Sequence, residues 1–295
     1  MEFAVKETKV HGKPDFPYMV YNVKMPKLFT YFPMHWHEEF EFIYVMEGHL
    51  DVIVDANKFV CSSGDIVIIP PGHIHDMEQH ASEECHYCNI MFLFTLLESD
   101  EKSSIFKKYF EPFCKNDLKE YFIPAGTKLN SILAPLAKEL FETRHEKYST
   151  DELRVKGYLF TMLFNILPLI KENELVSETR ASWIAKIKPI LSYVSKNFVE
   201  EMTVEQAAEM CALSKSHFMK IFKIVTGYSF LDYVKKCRLE NAFYLLTETD
   251  ENISLIGEKT GFPNFSYFIR SFKSAYGMSP LQYRKKFLEN KKNPL

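Results

Sequence analysis

Apolar and polar positions follow two different periods along the chain, and the changes of period divide it into parts. Residues 40–45 and 50–54 are rich in Phe, Ile, Val and Tyr and are separated by Glu47-Gly48. Residues 66–69 form a short apolar run closed by Pro70-Pro71-Gly72, and residues 87–94 form another. Such runs between turn signals predict strands, and several in a row predict a sandwich or barrel. From 99 to 173 the spacing is helical. Ile132, Leu133, Leu136, Leu140 and Phe141 share one face of a helix. Residues 153–170 predict a second helix, apolar on more than one face until Pro168. Such wide apolar faces need a cover, which is either the β body or a second copy of the chain.

Polar residues 172–182 predict a linker, and beyond them the pattern is helical almost to the end. Pro189 suits a first helical turn, where its missing N–H costs nothing. Thr203 with Gln206 is a capping box, Ser214 is the next N-cap, and Gly227 is a helix stop. Residues 229–247 predict a helix of about 18 residues, about 27 Å long. A second helix pair follows, with 253–260 first, then the turn Gly261-Phe262-Pro263-Asn264, then a helix to Tyr276-Gly277.

This second pair repeats the first at an offset of 50 residues. Ser216-His217-Phe218-Met219-Lys220-Ile221-Phe222-Lys223 aligns with Ser266-Tyr267-Phe268-Ile269-Arg270-Ser271-Phe272-Lys273. The arrangement predicts two helix-turn-helix units joined by one long helix. Phe218, Phe222, Val225, Phe268 and Phe272 form the stripes expected to be buried. The opposite stripes carry Ser216, Met219, Lys220 and Lys223 on one helix, and Ser266, Ile269, Arg270 and Lys273 on the other. Arg270 can bond bidentately to guanine. Lys220, Lys223 and Lys273 suit phosphates, and Met219 and Ile269 suit thymine methyls. One such face is an ordinary solvated surface. Two matching faces on a rigid spacer fit successive major-groove segments, which lie about 34 Å apart.

Charge supports the division. Of 36 Lys/Arg and 39 Asp/Glu, the chain from Trp183 onward holds 17 and 11, a net of +6, and the rest a net of −9. A basic C-terminal part on an acidic body points to a polyanion partner for that part alone. Hydrophobic residues at 46%, with 26 Phe and 16 Tyr, exclude a disordered chain. No apolar run reaches the roughly 18–20 residues of a membrane helix, and the start Met-Glu-Phe-Ala-Val-Lys-Glu is not a signal peptide. Six irregularly spaced cysteines then suggest reduced thiols and a cytoplasmic location. Cys85 and Cys88 lack a second pair at zinc spacing and read as packing.

The stretch from Thr203 to Arg284 resembles the DNA-binding domain of AraC/XylS transcription regulators. The densest likeness runs through Ile253-Ser254-Leu255-Ile256-Gly257-Glu258-Lys259-Thr260-Gly261-Phe262 and the repeat helix to Tyr276-Gly277-Met278-Ser279-Pro280-Leu281-Gln282-Tyr283-Arg284. The resemblance implies a seven-helix domain with two recognition helices in adjacent major grooves. Ser216, Met219, Lys220, Phe265, Ser266, Ile269 and Arg270 would face bases, with His217 and Tyr267 beside them. Many relatives carry Arg where Lys220 stands and Asp or Ser near Phe265, so no base preference is carried over. The resemblance further implies promoter DNA, a small-molecule effector and RNA polymerase as partners.

The N-terminal part resembles the cupin barrel. Its motif is His35-Trp36-His37, Glu41 four residues on and Gly48 seven beyond it, then Gly64, Pro70-Pro71-Gly72 and His75. Phe29 stands where the first motif has a leading glycine, and Gln79 where the second has asparagine. As one strand, 35–41 would point His35, His37, Glu39 and Glu41 to one side. These four and His75 are the candidate effector-binding residues, with Phe16, Tyr18 and Tyr21 as candidates to close the mouth. By the resemblance His35, His37, Glu41 and His75 stand at metal-ligand positions. Three imidazoles and a carboxylate suit Zn²⁺, Fe²⁺, Mn²⁺ or Ni²⁺, yet such residues in this family also line sugar pockets.

The expected fold is an α+β multidomain chain: a cupin β-barrel over 1–98, a helical dimerisation segment over 99–173, and an all-α double helix-turn-helix domain over 183–290. The expected function is a ligand-responsive regulator that binds DNA as a homodimer and activates carbohydrate uptake or catabolism genes on binding a sugar. The alternative is a metal-dependent cupin enzyme, a dioxygenase or isomerase, fused to a DNA-binding domain.

Overall fold

The computed structural model describes residues 6, 7, 9, 11–25, 31–81, 83–143, 149–171 and 177–292. They fall into two units, Lys6–Ile184 and Ala185–Leu295. The first holds strands β1 (Tyr18–Met25), β2 (Tyr31–His35), β3 (Phe40–Val54), β4 (Asn57–Ser62), β5 (Ile66–Ile69), β6 (His75–Gln79), β7 (Cys85–Phe92) and β8 (Phe122–Ile123). Strand β3 organises them. Its first half pairs antiparallel with β5 and β7, and its second half with β4 and β6. One strand therefore belongs to both walls of the barrel.

The runs 40–45 and 50–54, expected as two strands, are this single strand. Glu47-Gly48 makes a bulge rather than a turn: the register on β7 shifts between Val45 and Glu47, and Gly48 takes φ +75°. A Cβ on Gly48 would fall 2.1 Å from the Glu84 carbonyl oxygen. Only glycine lets β7 cross this closely while the strand bends. Strands β1 and β4 carry Asn22, Lys24, Asn57 and Lys58, the polar content of sheet edges, and so gave no apolar run in the sequence.

Helices α1 (Glu111–Lys115), α2 (Lys128–Glu142) and α3 (Ser149–Ile166) complete the unit. Leu133, Ala137 and Leu140 of α2 and Val155, Leu159, Met162 and Ile166 of α3 share one core cluster with the barrel. The β body is thus the cover for their inner faces. Ile132, expected on that face, is exposed, and α3 leaves Leu153, Phe160 and Phe164 in solvent.

Of the expected linker, residues 172–176 lie outside the described residues. From Ser177 the chain is helical as α4 (Ser177–Asn197), so Pro189 sits inside a helix and not in its first turn. Glu178, Arg180 and Ala181 are good helix formers despite the polar composition. The second unit continues with α5 (Val204–Met210), α6 (Lys215–Thr226), α7 (Phe230–Glu248), α8 (Ile253–Lys259), α9 (Phe265–Tyr276) and α10 (Pro280–Lys292). Thr203 and Gln206 form the reciprocal capping box, and Ser214, Ser229, Asn252 and Asn264 cap the next four helices. The repeat also extends beyond the aligned octet. Arg238 of α7 donates to the Phe198 and Glu200 carbonyls at 2.7 and 3.0 Å. Arg284 of α10 donates to those of Leu246 and Glu251 at 3.2 and 2.6 Å. Each arginine ties down the C-terminal end of an earlier helix.

Replacing Gly48 by alanine is expected to lower unfolding stability by about 2–4 kcal/mol. Gly126 has a similar φ of +82° with open space around it, so Gly126→Ala should lose only about 1 kcal/mol. Denaturant midpoints of the two variants check both values.

Candidate functional site

The candidate side chains fall into two sets, one in each unit. In the second unit, α6 and α9 are the second helices of the paired motifs. Phe218, Phe222 and Val225 are buried as expected, and so are Phe268 and Phe272. The Phe218 and Phe222 rings pack 5.4 Å from Phe230, and Phe272 packs 4.4 Å from Tyr276. These aromatic stripes lock the rotation of both helices. Ser216, His217, Met219, Lys220 and Lys223 are therefore exposed on α6, and Phe265, Ser266, Tyr267, Arg270 and Lys273 on α9, with Ile269 half-buried. The 19 residues of α7 form a spacer about 28 Å long.

The other set is buried in the barrel. Residues 35–41 are not one strand: β2 ends at His35, β3 begins at Phe40, and 36–39 between them is irregular. The side chains converge for another reason. The Gly72 amide donates to the His37 carbonyl at 2.7 Å, which draws this link to the turn before β6. Strand β6 places His75 opposite His35. Glu41 Oε2 then lies 3.1 Å from His37 Nε2 and 3.2 Å from His75 Nε2. Ligating atoms of His35, His37 and His75 all lie within 4.8 Å of one another. Glu39 does not join them. Its carboxylate stands 3.7 Å from His37 Nδ1, behind the ring.

Glu7 and His11 extend the set and were not among the candidates read from the sequence. The Glu7 carboxylate lies 3.3 Å from His11 Nε2 and 3.7 Å from His35 Nε2. No hydrophobic period marks this segment; only the i, i+4 spacing of the pair hints at a contact. Tyr21 lies beside the set, its hydroxyl 2.9 Å from His11 Nδ1. Phe16 and Tyr18 instead pack on the core, and the Tyr18 hydroxyl bonds to Thr143 and the Leu140 carbonyl.

The proton positions follow from the partners. Nδ1 of His35, His37 and His75 each meets a backbone carbonyl, of Pro33, Glu39 and His73, at 2.8, 3.1 and 3.0 Å. A carbonyl only accepts, so each Nδ1 carries a proton. His37 also donates from Nε2 to Glu41 and is an imidazolium. Burial alone would lower its pKa, but the Glu41 carboxylate outweighs burial and raises it. Burial, then the neighbouring His75 and His37, pushes His35 down to about 3. His35 is neutral, with an inward lone pair on Nε2. Burial would raise the Glu41 carboxyl, but the hydrogen bond from His37 and the closeness of the His75 and His37 rings hold it well below the usual carboxylate range. His75 Nε2 is buried without an aligned hydrogen-bond partner.

Cys85 and Cys88 are buried and form no disulfide, and burial pushes the Cys85 thiol up to about 11. No described helix is long and apolar enough to cross a membrane.

Comparison with known proteins finds a match for each of the two parts of the chain. A family model described as an AraC-like ligand binding domain matches residues 28–163, and one described as a helix-turn-helix domain matches 207–286. The chain is 24% identical over 290 residues to the uncharacterized HTH-type transcriptional regulator YdeC of Bacillus subtilis, covering 95% of this chain and 96% of that one. It is 24% identical to the MmsAB operon regulatory protein of Pseudomonas aeruginosa, over 85% of this chain and 76% of that one. ToxT of Vibrio cholerae superposes on 91% of this chain and 98% of its own, at 14% identity and a TM-score of 0.49. The matched families and relatives are regulators, which sets aside the cupin-enzyme alternative. The chain is thus a ligand-responsive helix-turn-helix transcriptional regulator of AraC type, with an AraC-like ligand binding domain ahead of its helix-turn-helix domain.

Proposed function

We propose that this regulator holds a divalent cation in its barrel through His35, His37, Glu41 and His75, and that occupancy of this site sets its action on promoter DNA. One observation carries the reading. The buried His75 Nε2 points at a carboxylate oxygen 3.2 Å away with no aligned hydrogen bond, and the neutral His35 turns its lone pair to the same place. His37 already gives Glu41 one proton, and a cation that displaces it meets the acceptors of all four groups at once. Three imidazole nitrogens and one carboxylate suit Zn²⁺, Fe²⁺, Mn²⁺ or Ni²⁺. The carbonyls of Pro33, Glu39 and His73 hold the rings as metal-ligating histidines are usually held. A bound ion leaves a position open to an oxygen of a small effector.

A sugar is the second reading. The partly open edge at Glu7 and His35 favours it, because hydroxyls donate to and accept from such groups. Genes of carbohydrate uptake or catabolism, activated through RNA polymerase, are the targets under that reading. In both readings α6 and α9 read DNA with the eleven exposed or half-buried residues named above. The outer face of α3, where Leu153 is 78%, Phe160 44% and Phe164 71% exposed, supports a homodimer. The segment 99–173 then serves both to cover the barrel and to dimerise. A reduced-thiol, DNA-binding chain belongs in the cytoplasm.

Zn²⁺ at 100 times its dissociation constant should stabilise chelator-stripped protein by about 2.7 kcal/mol, visible as a thermal shift. Glu41→Gln and His75→Ala should abolish the shift. A sugar shift indifferent to chelator, with none from metal, overturns the cation reading.

The folded pKa of His35 lies near 3, below its ordinary 6.5. The unfolded chain therefore takes the proton first. The contribution of the neutral ring is full above pH 6.5 and falls as pH drops toward 3. In apo protein, His35→Gln should make the acid loss of stability shallower by up to about 1.4 kcal/mol per pH unit in that window. Unfolding midpoints at a series of pH values check it.

On DNA, Arg270→Ala should cost about 1–3 kcal/mol and relax preference at one base pair. Lys220→Ala should weaken all sequences alike and reduce the salt slope by about 1. Binding titrations at several salt concentrations separate the two.

A further inference from the structure

The two helix pairs of the second unit share one turn but not the residue that makes it. In the first pair the Ala212 amide donates to the Glu209 carbonyl at 2.9 Å, and the Leu213 amide to that of Ala208 at 3.0 Å. In the second pair the Gly261 amide donates to Glu258 and the Phe262 amide to Gly257, both at 3.0 Å. Ala212 and Gly261 therefore hold equivalent positions. Both are left-handed, at φ +53° and +79°. Alanine meets this conformation in the first turn, so the backbone angle alone does not demand glycine in the second.

The demand comes from what faces Gly261. A Cβ there would fall 2.8 Å from Val199 Cα, 2.9 Å from the Val199 carbonyl oxygen and 3.0 Å from Arg238 Nε. The two nearest atoms are backbone and have no rotamer with which to give way. Val199 lies in the link between α4 and α5. Arg238, near the middle of α7, holds that link through the carbonyls on either side of Val199, those of Phe198 and Glu200. Three segments thus meet at one point: the link before the first pair, the spacer helix, and the turn of the second pair.

This point is connected to both exposed helices. From Gly261 the chain passes to Phe262, whose ring packs 5.1 Å from Phe268 of α9. From Val199 it passes to Thr203, which caps α5 ahead of α6. Beside the contact the pairs part around a cleft of about 470 Å³, lined by Thr203 and Val204 of one pair and Phe262 and Tyr267 of the other. Helix α7 alone would join the pairs at its two ends and leave them free to turn there. The backbone contact at Gly261 is a further join, and it fixes the angle.

We propose that Gly261, seated on Val199 and Arg238, is a positioning residue for DNA specificity, which sets the number of base pairs between the segments that α6 and α9 read. The inference rests on the reading of α6 and α9 as the DNA-facing helices. A methyl group at 261 needs about 1 Å more room, because ordinary carbon contacts lie at roughly 3.5–4.0 Å. A shift of that size at the contact swings α9 relative to α6. Loosened pairs then follow a change of spacing that held pairs do not.

The probe is a duplex selected by the full wild-type chain from a pool randomised over about three helical turns. Met219→Ala and Arg270→Ala locate the base pairs that each helix reads. One base pair is then inserted between the two segments, which moves one of them by about 3.4 Å and about 34°. Wild type should bind the inserted duplex at least about tenfold more weakly than the selected one. Gly261→Ala should lose about tenfold on the selected duplex and bind the two duplexes within about threefold of each other. Arg238→Ala should narrow the ratio in the same way, and Arg238→Lys should restore part of it, which covers the case where Gly261→Ala does not fold. Gly277 has φ +73° with open space around it, so Gly277→Ala carries the backbone strain without the contact and should keep the wild-type ratio. A folded Gly261→Ala or Arg238→Ala chain that keeps the wild-type ratio overturns the proposal, because a purely structural loss weakens both duplexes alike. So does a wild type indifferent to the insertion. Failure of the underlying reading looks different: Met219→Ala and Arg270→Ala then leave affinity and base preference unchanged, and the proposal falls with it.

Discussion

The first unit is built around a carboxylate that has almost no water. Glu41 is 1% exposed on strand β3, and burying an unpaired charge of this kind costs several kcal/mol. The barrel must bring compensating groups to it, and it does so from separate segments: His37 from the irregular link, His75 from β6, and His35 from the end of β2. Each ring is held by a backbone carbonyl on its far side, so the polar interior is fixed by the main chain before any ligand arrives. The bend in β3 is part of the same constraint. A straight strand would serve one wall alone, and Glu41 would lack the facing β6.

The second unit solves a different problem with a different force. No buried charge organises α6 and α9; their orientation comes from aromatic packing. Rings on one stripe of each helix leave no freedom of rotation, and the polar stripe faces outward as a consequence. Because the unit is a repeat, the same packing occurs twice, and the paired arginines Arg238 and Arg284 repeat with it. Two matching exposed faces need only one solution to the packing, used twice.

This difference explains what could be read from the sequence. The helical unit announces itself locally, since caps, stops and aromatic stripes all act within a few residues. Thr203, Ser214, Gly227 and the octet at offset 50 were therefore legible, and the exposed stripe followed. The barrel depends on contacts between distant segments. Its histidines were visible as a motif, yet the expected mechanism of their convergence, one strand with alternating faces, does not hold at 36–39. Glu7 and His11 reach the cluster from a segment with no apolar period, and Asp55 and His73 meet from two turns. Register and turn geometry place them, and neither is written in a hydrophobic pattern. The bulge at Gly48 shows the same limit, since Glu47-Gly48 reads equally as a hairpin turn until β7 is seen crossing it.

A regulator needs more than a pocket, because a ligand with equal affinity for two states shifts neither. The polar interior must therefore be tied to a part of the chain that can change. Here the tie is short. His75 takes its orientation from the His73 carbonyl, the His73 side chain meets Asp55, and the Asp55 backbone and carboxylate hold Ile74. Movement of the His75 ring toward or away from a ligand thus acts on the same residue whose side chain is held by Asp55 in the β3–β4 turn. Linkage makes such a coupling reciprocal: whatever holds the β3–β4 turn against residues 73–74 also favours the ring orientation that the barrel site requires. The arrangement asks for no long-range pathway, only that residues 73–75 have two positions and that ligand prefers one.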